Sequence, residues 1–470
     1  MKYYKLEPLV LQGKIVYNQI VGKTILHCDL NNFYASVEQK LHPEYDGMPL
    51  AVCGNPEARH GIVLAKNQLA KKAGVQTGET LWSARQKCPD IIFVPPHFDE
   101  YVKHSKQVFE IYTQFTDRVE SFGIDECWLD VTGSEKLFGD GVTIANKLRE
   151  LVKEKTGLTI SVGVSFTKTL AKLGSDLKKP DAVTVIDRAH FREIVWPLPV
   201  GALLYVGKSA MQVFRDLRIT TIGALAQSSP ELLAYKLGKL GTQLHAYANG
   251  EDDEPVRSAY EKREVKSVGN GMTFSHDLYG MEEILVGLDA VCDLAAARMR
   301  AKGVKCTGVQ LVIKDENFVT NQRQKQLSPP TNLARELREA SAALLRETWN
   351  PRLGIRSLTV TGIGLVPEGT AEQIGFFDDP TENLRADRRE RAVDDIRKKF
   401  GKGAIQSGGV LASDLAVHHA HAAGKALERD GVLDRDTTTA STRNADFPQF
   451  ACTNFKKPLP FCRKIMYTIR

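Results

Sequence analysis

Short apolar runs of strand length alternate with longer segments of helical periodicity over most of the chain. Apolar runs at residues 24–28, 49–53 and 161–165 are too short for helices and are followed by turn or helix signals, so they predict buried strands. Aromatic and aliphatic side chains recur at helical spacing from Tyr101 to Phe115, which predicts an amphipathic helix. The pattern predicts a multi-domain α/β (α+β) protein.

The C-terminal half has a different rhythm. Short helical segments with Gly-Lys turns, such as Gly207-Lys208 and Gly238-Lys239, occupy residues 196–255 and end in the acidic linker 251–255. Beyond this linker the pattern predicts two helices and four strands, with the helices near 282–299 and 333–349 and the strands near 265–274, 308–314, 318–327 and 355–365.

Composition narrows the class of protein. A chain of 470 residues should hold more than one domain, and 42% hydrophobic with 26% charged residues is ordinary for a globular protein. The net charge of +6 is compatible with nucleic acid but does not establish it. The eight cysteines form no C-x-x-C pair, which argues against a zinc site or a disulfide framework. Without an apolar run of membrane-spanning length or a signal peptide, we expect a cytoplasmic protein.

Three carboxylates stand at positions that suit metal chemistry. Asp29 follows the run 24–28, and the adjacent pair Asp125-Glu126 lies in a predicted hairpin near residues 121–131. Two Mg²⁺ ions that catalyse phosphoryl transfer need bridging carboxylates of this kind. Taken singly, Asp29 could instead cap the following helix, and Asp125-Glu126 could be ordinary hairpin-turn residues. The positions alone therefore leave both the metal-binding and the structural interpretation open.

Three stretches together resemble the Y-family (translesion) DNA polymerases. They are Asp-Leu-Asn-Asn-Phe-Tyr-Ala-Ser-Val-Glu from Asp29, Ile-Asp-Glu-Cys-Trp-Leu-Asp from Ile124, and Lys-x-x-Ala-Lys-x-x-Ser-Asp-x-x-Lys-Pro from Lys168. The resemblance runs from about residue 23 to about residue 367. It implies a template-directed, low-fidelity DNA polymerase that acts in translesion synthesis and DNA repair.

The resemblance also implies the domain order. It assigns an N-terminal extension to residues 1–22, and leaves the tail 411–470 unassigned. Between them it implies a palm (23–51 and 96–195), fingers (52–95), a helix-hairpin-helix thumb (196–255), a little finger (256–367), and a clamp-binding segment with a charged helix (368–410).

The same resemblance implies the active-site residues. Two Mg²⁺ ions would be held by Asp29, the Leu30 carbonyl, Asp125 and Glu126. Asp125, Glu126 and Asp29 are then the catalytic residues, and Tyr34 is the steric gate that excludes a 2′-hydroxyl. The nucleotide would be contacted by Asn32, Phe33, Tyr34, Gln68, Lys71 and Lys179. We expect Lys168, Lys172 and Asp176 to hold their helix against the catalytic hairpin, and Asp130 to be structural.

The chain departs from the family pattern at two places. The family's Asn-Tyr-x-x-Arg arrangement reads Asn67-Gln68-Leu69-Ala70-Lys71 here, and lysine supplies charge without the bidentate fork of arginine. Many relatives are acidic where this chain has Asn31, so a fourth side-chain carboxylate is absent.

Primer-template DNA, deoxynucleoside triphosphates and a sliding clamp are the implied partners of a monomeric enzyme. Sequence-independent phosphate contacts are expected from Lys208, Lys262, Arg263, Lys266, Arg323 and Lys325. The clamp-binding peptide is expected at Gln373, Ile374, Phe376 and Phe377.

Two alternatives from other classes stay open. A catalytically silent, clamp-bound adaptor of the same fold would have lost the carboxylates, whereas a nucleotidyl cyclase built on a similar palm would not explain Lys179-Pro180.

Overall fold

The computed structural model describes residues 9–11, 14–16, 22–54, 61–261, 264–350, 352–370, 380–401, 403–411 and 413. These residues form two compact units. One contains the described residues up to Asn31 together with Gln107–Tyr260, and the other contains Asn32–Lys106 together with the described residues from Glu261 onward.

The strands of the described residues are, in chain order, β1 (Leu9–Leu11), β2 (Lys14–Val16), β3 (Ile25–Leu30), β4 (Leu50–Cys53), β5 (Val63–Lys66), β6 (Ile92–Val94), β7 (Val119–Ser121), β8 (Glu126–Asp130), β9 (Ile160–Ser165), β10 (Val183–Ile186), β11 (Ser267–Leu278), β12 (Val304–Asp315), β13 (Thr320–Thr331) and β14 (Ile355–Pro367).

The α-helices of the same residues are α1 (Phe33–Leu41), α2 (Gln68–Lys72), α3 (Leu81–Lys87), α4 (Phe98–Tyr112), α5 (Glu135–Phe138), α6 (Gly141–Thr156), α7 (Lys168–Leu177), α8 (Phe191–Val195), α9 (Lys208–Asp216), α10 (Ile222–Ala226), α11 (Pro230–Leu237), α12 (Lys239–Ala248), α13 (Gly280–Ala301), α14 (Ala334–Thr348), α15 (Pro380–Phe400) and α16 (Gly408–Leu411).

The first unit is built on a five-stranded sheet in the order β10-β9-β3-β8-β7. Strands β9 and β10 are parallel, and the other neighbours are antiparallel. Every residue of β3 and β9 is buried, as expected for central strands that are covered on both faces. The strand predicted at residues 24–28 is therefore confirmed, but it continues to Leu30, so Asp29 lies within the strand.

Helix α7 crosses this sheet at unusually short range. A Cβ placed on Gly163 of β9 would lie 1.9 Å from the carbonyl oxygen of Ala171, and one placed on Gly174 would lie 3.2 Å from the Gly163 Cα. Only a glycine at position 163 permits this approach. The contact brings the polar side chains of α7 close to the end of β3 and to the β7–β8 hairpin.

The short helices α9–α12 also belong to the first unit and share an apolar core. Its buried members include Phe214, Ile222, Leu225, Leu233 and Leu244. Four short helices, with Gly207 before α9 and Gly238 between α11 and α12, agree with the helical pattern predicted for residues 196–255.

The segment that follows α12 is packed rather than a free linker. Asp252 is buried and accepts hydrogen bonds from the backbone N–H and hydroxyl of Thr169, at 3.1 and 2.8 Å, in the first turn of α7. The Arg257 N–H donates to Glu120 of β7 at 3.0 Å, and Val256 and Ala259 are buried. The acidic linker predicted at residues 251–255 is therefore part of the packed unit.

A three-stranded sheet in the order β5-β4-β6 lies in the second unit. Its small core combines Ala51 and Val63 of the sheet with Ala70 of α2 and Ala84 of α3. The boundary predicted between palm and fingers at residues 51 and 52 cuts through β4, because hydrogen bonds join the whole strand to β5 and β6.

The second unit also contains a four-stranded antiparallel sheet in the order β11-β14-β12-β13, with α13 and α14 packed against it. Buried aliphatic residues of the sheet, such as Leu311 and Leu358, meet Leu288 of α13 and Leu337 of α14. Two helices on a four-stranded sheet is the predicted arrangement, and it is confirmed.

The charged helix predicted near residues 384–400 exists as α15, and its acidic residues meet a buried cation. The Arg300 side chain of α13 is only 2% exposed, pairs with Glu390, and donates to Asp394 through Nε at 2.7 Å. Arg397 of α15 pairs with Asp293 of α13 at 2.7 Å. Because an unpaired buried guanidinium would be costly, these ion pairs set the orientation of α15 on α13.

Several predicted features lie outside the described residues, namely Lys262, Arg263, the peptide at Gln373, Ile374, Phe376 and Phe377, and most of the tail 411–470. Among the helices described, none combines the length and apolar composition that a membrane span requires.

Gly163→Ala is expected to lower the free energy of unfolding by about 1–3 kcal/mol, because the added methyl group would collide with the backbone of α7. Thermal and urea unfolding would measure the loss. Gly133→Ala is the matched control, since its Cβ would meet no atom within 4 Å. Equal stability of the two variants would contradict the close packing of α7 on β9.

Candidate active site

Two neighbouring strands present the three carboxylates. Asp29 of β3 lies directly opposite Glu126 of β8, and the Leu30 N–H donates to the Asp125 carbonyl at 3.0 Å. Directly opposed residues of antiparallel strands point to the same face, so Asp29 and Glu126 are neighbours. The structure thus brings together the acidic residues that the sequence separates by nearly a hundred positions.

Two lysines from α7 and its C-terminal loop neutralise part of this charge. The Lys172 Nζ lies 2.8 Å from Glu126 Oε1 and 3.4 Å from Asp29 Oδ2. The Lys179 Nζ lies 2.8 Å from Asp29 Oδ2 and 2.8 Å from Asp176 Oδ1. The prediction that Lys172 contacts the hairpin is confirmed, whereas Asp176 pairs with these lysines rather than with the hairpin.

Burial and mutual repulsion shift the protonation of this cluster. Desolvation, followed by the neighbouring Glu126, raises the pKa of Asp29 above its ordinary value. The same two causes and Asp29 raise the pKa of Asp125 to about 8. Desolvation alone would lower the pKa of Lys172, but Glu126 and Asp29 outweigh it and raise that pKa. The carboxyl groups of the cluster therefore hold protons more readily than ordinary carboxyl groups do, because they are buried and repel one another when charged.

The crowding of carboxyl groups in this cluster fits divalent cations. Four carboxylates, at Asp29, Asp125, Glu126 and Asp176, face only the two ammonium groups of Lys172 and Lys179. Carboxylate oxygens are the ligands that Mg²⁺ prefers. Within the ranges that the structure describes, no three His, Cys, Asp or Glu side chains converge closely enough to hold a metal ion. Ammonium groups contact the oxygens of Asp29 and Glu126 instead.

Lys168 joins α7 to the β7–β8 hairpin. Its Nζ lies 2.8 Å from Glu120 of β7, 3.2 Å from Glu254, and 4.6 Å from the ring centre of Trp128 in β8. The Trp128 indole N–H donates to the Lys168 carbonyl at 2.9 Å. The prediction that Lys168 joins its helix to the hairpin is confirmed.

His27 is a residue of this site that the sequence interpretation missed. It is fully buried in β3, its Nδ1 lies 2.8 Å from Ser175 Oγ, and its Nε2 lies 3.5 Å from Glu126 Oε2. Burial and the nearby Lys172 hold the pKa of His27 well below its ordinary value. A signal was available, because His27 stands two residues before Asp29 and therefore shares its face of the strand.

Tyr34 lies on α1, in the second unit, among aromatic rings. It stacks on Tyr101 with ring centres 4.2 Å apart and an angle of 10° between the planes, and it meets Phe98 edge-on. The Tyr101 hydroxyl donates to the buried Glu38, which also lies 3.0 Å from His97 Nδ1. A ring held in this way is a rigid surface, as a steric gate requires.

The other residues predicted to contact the nucleotide lie at the start of α1 and on α2. Asn32 has a left-handed backbone (φ 49°) and precedes α1, whose first residue is Phe33. Gln68 and Lys71 lie on α2, with Lys71 exposed. These residues belong to the second unit, so their contacts with the nucleotide stay predictions, as does the Leu30 carbonyl as a ligand.

The predicted DNA-contacting residues within the described ranges are all exposed. Lys208 begins α9, Lys266 precedes β11, and Arg323 and Lys325 lie two positions apart on β13 and therefore share a face.

Comparison with known proteins agrees with the fold. The impB/mucB/samB family matches residues 28–176, and the C-terminal domain of that family matches residues 265–376. The DNA polymerase IV of Acetivibrio thermocellus is 45% identical over 389 residues, which cover 83% of this chain and 98% of that protein. The DNA polymerase IV of Pelotomaculum thermopropionicum is 38% identical over 381 residues, covering 81% and 94%.

A solved structure shows the same architecture. A chimera of the Y-family DNA polymerases Dbh and Dpo4 superposes with a TM-score of 0.65 at 25% identity, covering 73% of this chain and 99% of that one. The fold is that of the Y-family DNA polymerases, and the predicted resemblance is confirmed. Within that class, the chain belongs to the impB/mucB/samB family.

Asp125→Asn is expected to raise the melting temperature of the protein in EDTA, because it removes one of several crowded negative charges. The pKa of Asp125 is raised from 3.8 to about 8, so its stabilising protonation is lost as the pH rises through that interval. The gain should therefore be larger at pH 9 than at pH 5. Asp130→Asn is the control, since the Asp130 carboxylate accepts from the N–H and the hydroxyl of Thr132 and an amide oxygen can do the same. A gain independent of pH would contradict the shift.

Proposed function

We propose that this protein is a DNA-directed DNA polymerase that adds deoxynucleotides to a primer 3′ end and acts in translesion synthesis and DNA repair. The observation that carries this proposal is the opposition of Asp29 and Glu126 beside Asp125, with Lys172 and Lys179 on the same carboxylates. The family membership and the name DNA polymerase IV of its relatives support it.

Y-family polymerases use divalent metal ions, and for this chain we propose two Mg²⁺ ions at Asp29, Asp125, Glu126 and the Leu30 carbonyl. When bound, these ions would activate the primer hydroxyl and neutralise the leaving pyrophosphate. The chain's own residues orient the reactants. Lys179, two residues after the end of α7, would contact the triphosphate, and Lys172 keeps Glu126 close to Asp29.

DNA and nucleotides are the substrates of this activity. The exposed Lys208, Lys266, Arg323 and Lys325 suit sequence-independent contacts with phosphates, whose strength falls as salt rises. Lys262 and Arg263 have the same proposed role.

We propose five further contacts between the protein and the incoming nucleotide. Asn32 and Phe33 would offer backbone amides, Gln68 and Lys71 would meet the phosphates, and Tyr34 would lie beneath the sugar.

The docking peptide for a sliding clamp, at Gln373, Ile374, Phe376 and Phe377, stays a proposal that rests on its sequence. The monomeric state, the cytoplasmic location and the domain boundaries stay proposals as well.

Neither alternative has an observation in its favour. A silent adaptor has no use for the three retained carboxylates, and a nucleotidyl cyclase does not account for the match of residues 265–376 to the family's C-terminal domain.

Asp125→Asn/Glu126→Gln is expected to slow primer extension on an undamaged template with Mg²⁺ by at least about a thousandfold, because the charges that hold the metal ions are lost while side-chain size is kept. Asp130→Asn, on the same hairpin, should extend primers at the wild-type rate.

Extension by the double variant at the wild-type rate would contradict the assigned metal site. Failure of a folded, DNA-binding wild type to extend any primer would favour the adaptor instead.

Tyr34→Ala is expected to keep deoxynucleotide incorporation and to reduce discrimination against ribonucleotides by at least about tenfold, because the ring that meets the 2′-hydroxyl is gone. Single-turnover incorporation of matched deoxy- and ribonucleotides measures the ratio. Tyr34→Phe, which keeps the ring and removes only the hydroxyl, is the control and should keep the wild-type ratio, and an unchanged ratio for Tyr34→Ala would remove the assignment.

A further inference from the structure

Asn31 joins three segments of the first unit through its side chain. Its Nδ2 donates to Ser161 Oγ at 2.8 Å, and its Oδ1 accepts from Thr159 Oγ1 at 3.0 Å and from the Asp181 N–H at 2.8 Å. The residue is only 5% exposed. The Asp181 N–H fixes the orientation of this buried amide, because a flipped amide would turn its own NH2 group toward that donor, whereas the hydroxyls of Ser161 and Thr159 can donate or accept.

Asp181 is held in an uncommon backbone conformation. Its φ is 51°, in the left-handed region that few non-glycine residues occupy. Arg149 of α6 donates to the Asp181 side chain through Nε at 3.0 Å and to its carbonyl through a terminal nitrogen at 2.7 Å. A conformation of this kind persists only where the surroundings hold it. Here Arg149 holds the side chain and carbonyl, and Asn31 holds the N–H.

The held residue is the near neighbour of a predicted nucleotide ligand. Asp181 follows Lys179 by two positions, and the Lys179 Nζ contacts Asp29, which precedes Asn31 by two positions. The hydrogen bond from the Asp181 N–H to Asn31 therefore ties the loop that carries Lys179 to the strand that carries Asp29. Without it, Asp181 would keep its contacts with Arg149 and Lys153 of α6 but would lose its hydrogen bond to the segment that carries Asp29.

We propose that Asn31 is a positioning residue that acts through Lys179, by fixing the loop from which Lys179 reaches the triphosphate. The inference rests on the proposed function, since it takes Lys179 as a ligand of the incoming nucleotide. Asn31 itself contacts neither metal nor nucleotide in this proposal. Its loss should weaken nucleotide binding much more than it slows the chemical step.

A purely structural role for Asn31 predicts a different result, so a double-mutant cycle separates the two. The cycle comprises wild type, Asn31→Ala, Lys179→Met and the double variant, with single-turnover incorporation measured against deoxynucleotide concentration. We expect Asn31→Ala to raise the nucleotide concentration at half-maximal rate by about tenfold, with little change in the maximal rate. In the Lys179→Met background the same substitution should have no further effect.

Asn31→Asp is the conservative variant. It keeps the oxygen that accepts from Asp181, replaces the donor to Ser161 by an oxygen that can accept from the Ser161 hydroxyl, and adds a negative charge. It should therefore bind nucleotide nearly as the wild type does, and it remains informative if Asn31→Ala does not fold. Arg149→Met tests the same loop from its other side and should also lose its effect in the Lys179→Met background.

Three outcomes would overturn the inference. Additive effects of Asn31→Ala and Lys179→Met would show that Asn31 acts independently of Lys179. Weak nucleotide binding by Asn31→Asp would show that the bond to Asp181 is not the one that matters. If Lys179→Met bound nucleotide normally while still extending primers, both this inference and the role of Lys179 would fall, and the polymerase proposal would stand.

Discussion

The structure of the first unit depends on one constraint, which is that the carboxylates of Asp29 and Glu126 face each other across adjacent strands. Like charges directly opposed in a sheet are destabilising, and burial makes their repulsion stronger. Asp29 and Glu126 are kept in this arrangement by Lys172, and Asp29 is also paired with Lys179. The lysines reach the carboxylates only because α7 lies almost in backbone contact with β9 at Gly163. The tight packing and the charge cluster are therefore two parts of one feature.

The second unit also contains buried ion pairs, but they have a different role. Arg300 is buried in the helical layer and is balanced by Glu390 and Asp394 of α15. In the first unit, four carboxyl groups crowd around two ammonium groups, an arrangement that suits divalent cations. In the second unit, the acidic residues of α15 pair with a buried guanidinium and hold α15 against α13.

Much of this could be predicted from the sequence, because strands and helices follow local periodicity. The strand before Asp29, the hairpin at Asp125-Glu126 and the pair of helices on a four-stranded sheet were all accessible in this way. The contacts of His27 and Asn31 were not, because they join the β3 segment to Ser175 of α7 and to Ser161 of β9, each more than a hundred residues further along the chain. The face by which α15 meets Arg300 depends on tertiary packing too. No local pattern separates acids that pair with a buried arginine from acids in water.

The packed segment after α12 has a consequence for how this chain can be divided. Asp252 caps the first turn of α7, Glu254 shares the Lys168 ammonium with Glu120, and Arg257 bonds to Glu120 through its backbone. A fragment that ended at residue 195 would leave Lys168 with Glu120 alone and would expose the apolar surface that buries Val256 and Ala259. The five-stranded sheet of the first unit therefore cannot be expressed without residues 252–259 and keep these contacts. Recombination with a relative would preserve it only if the crossover fell outside residues 22–260, or if both parents supplied matching residues on each side of these contacts.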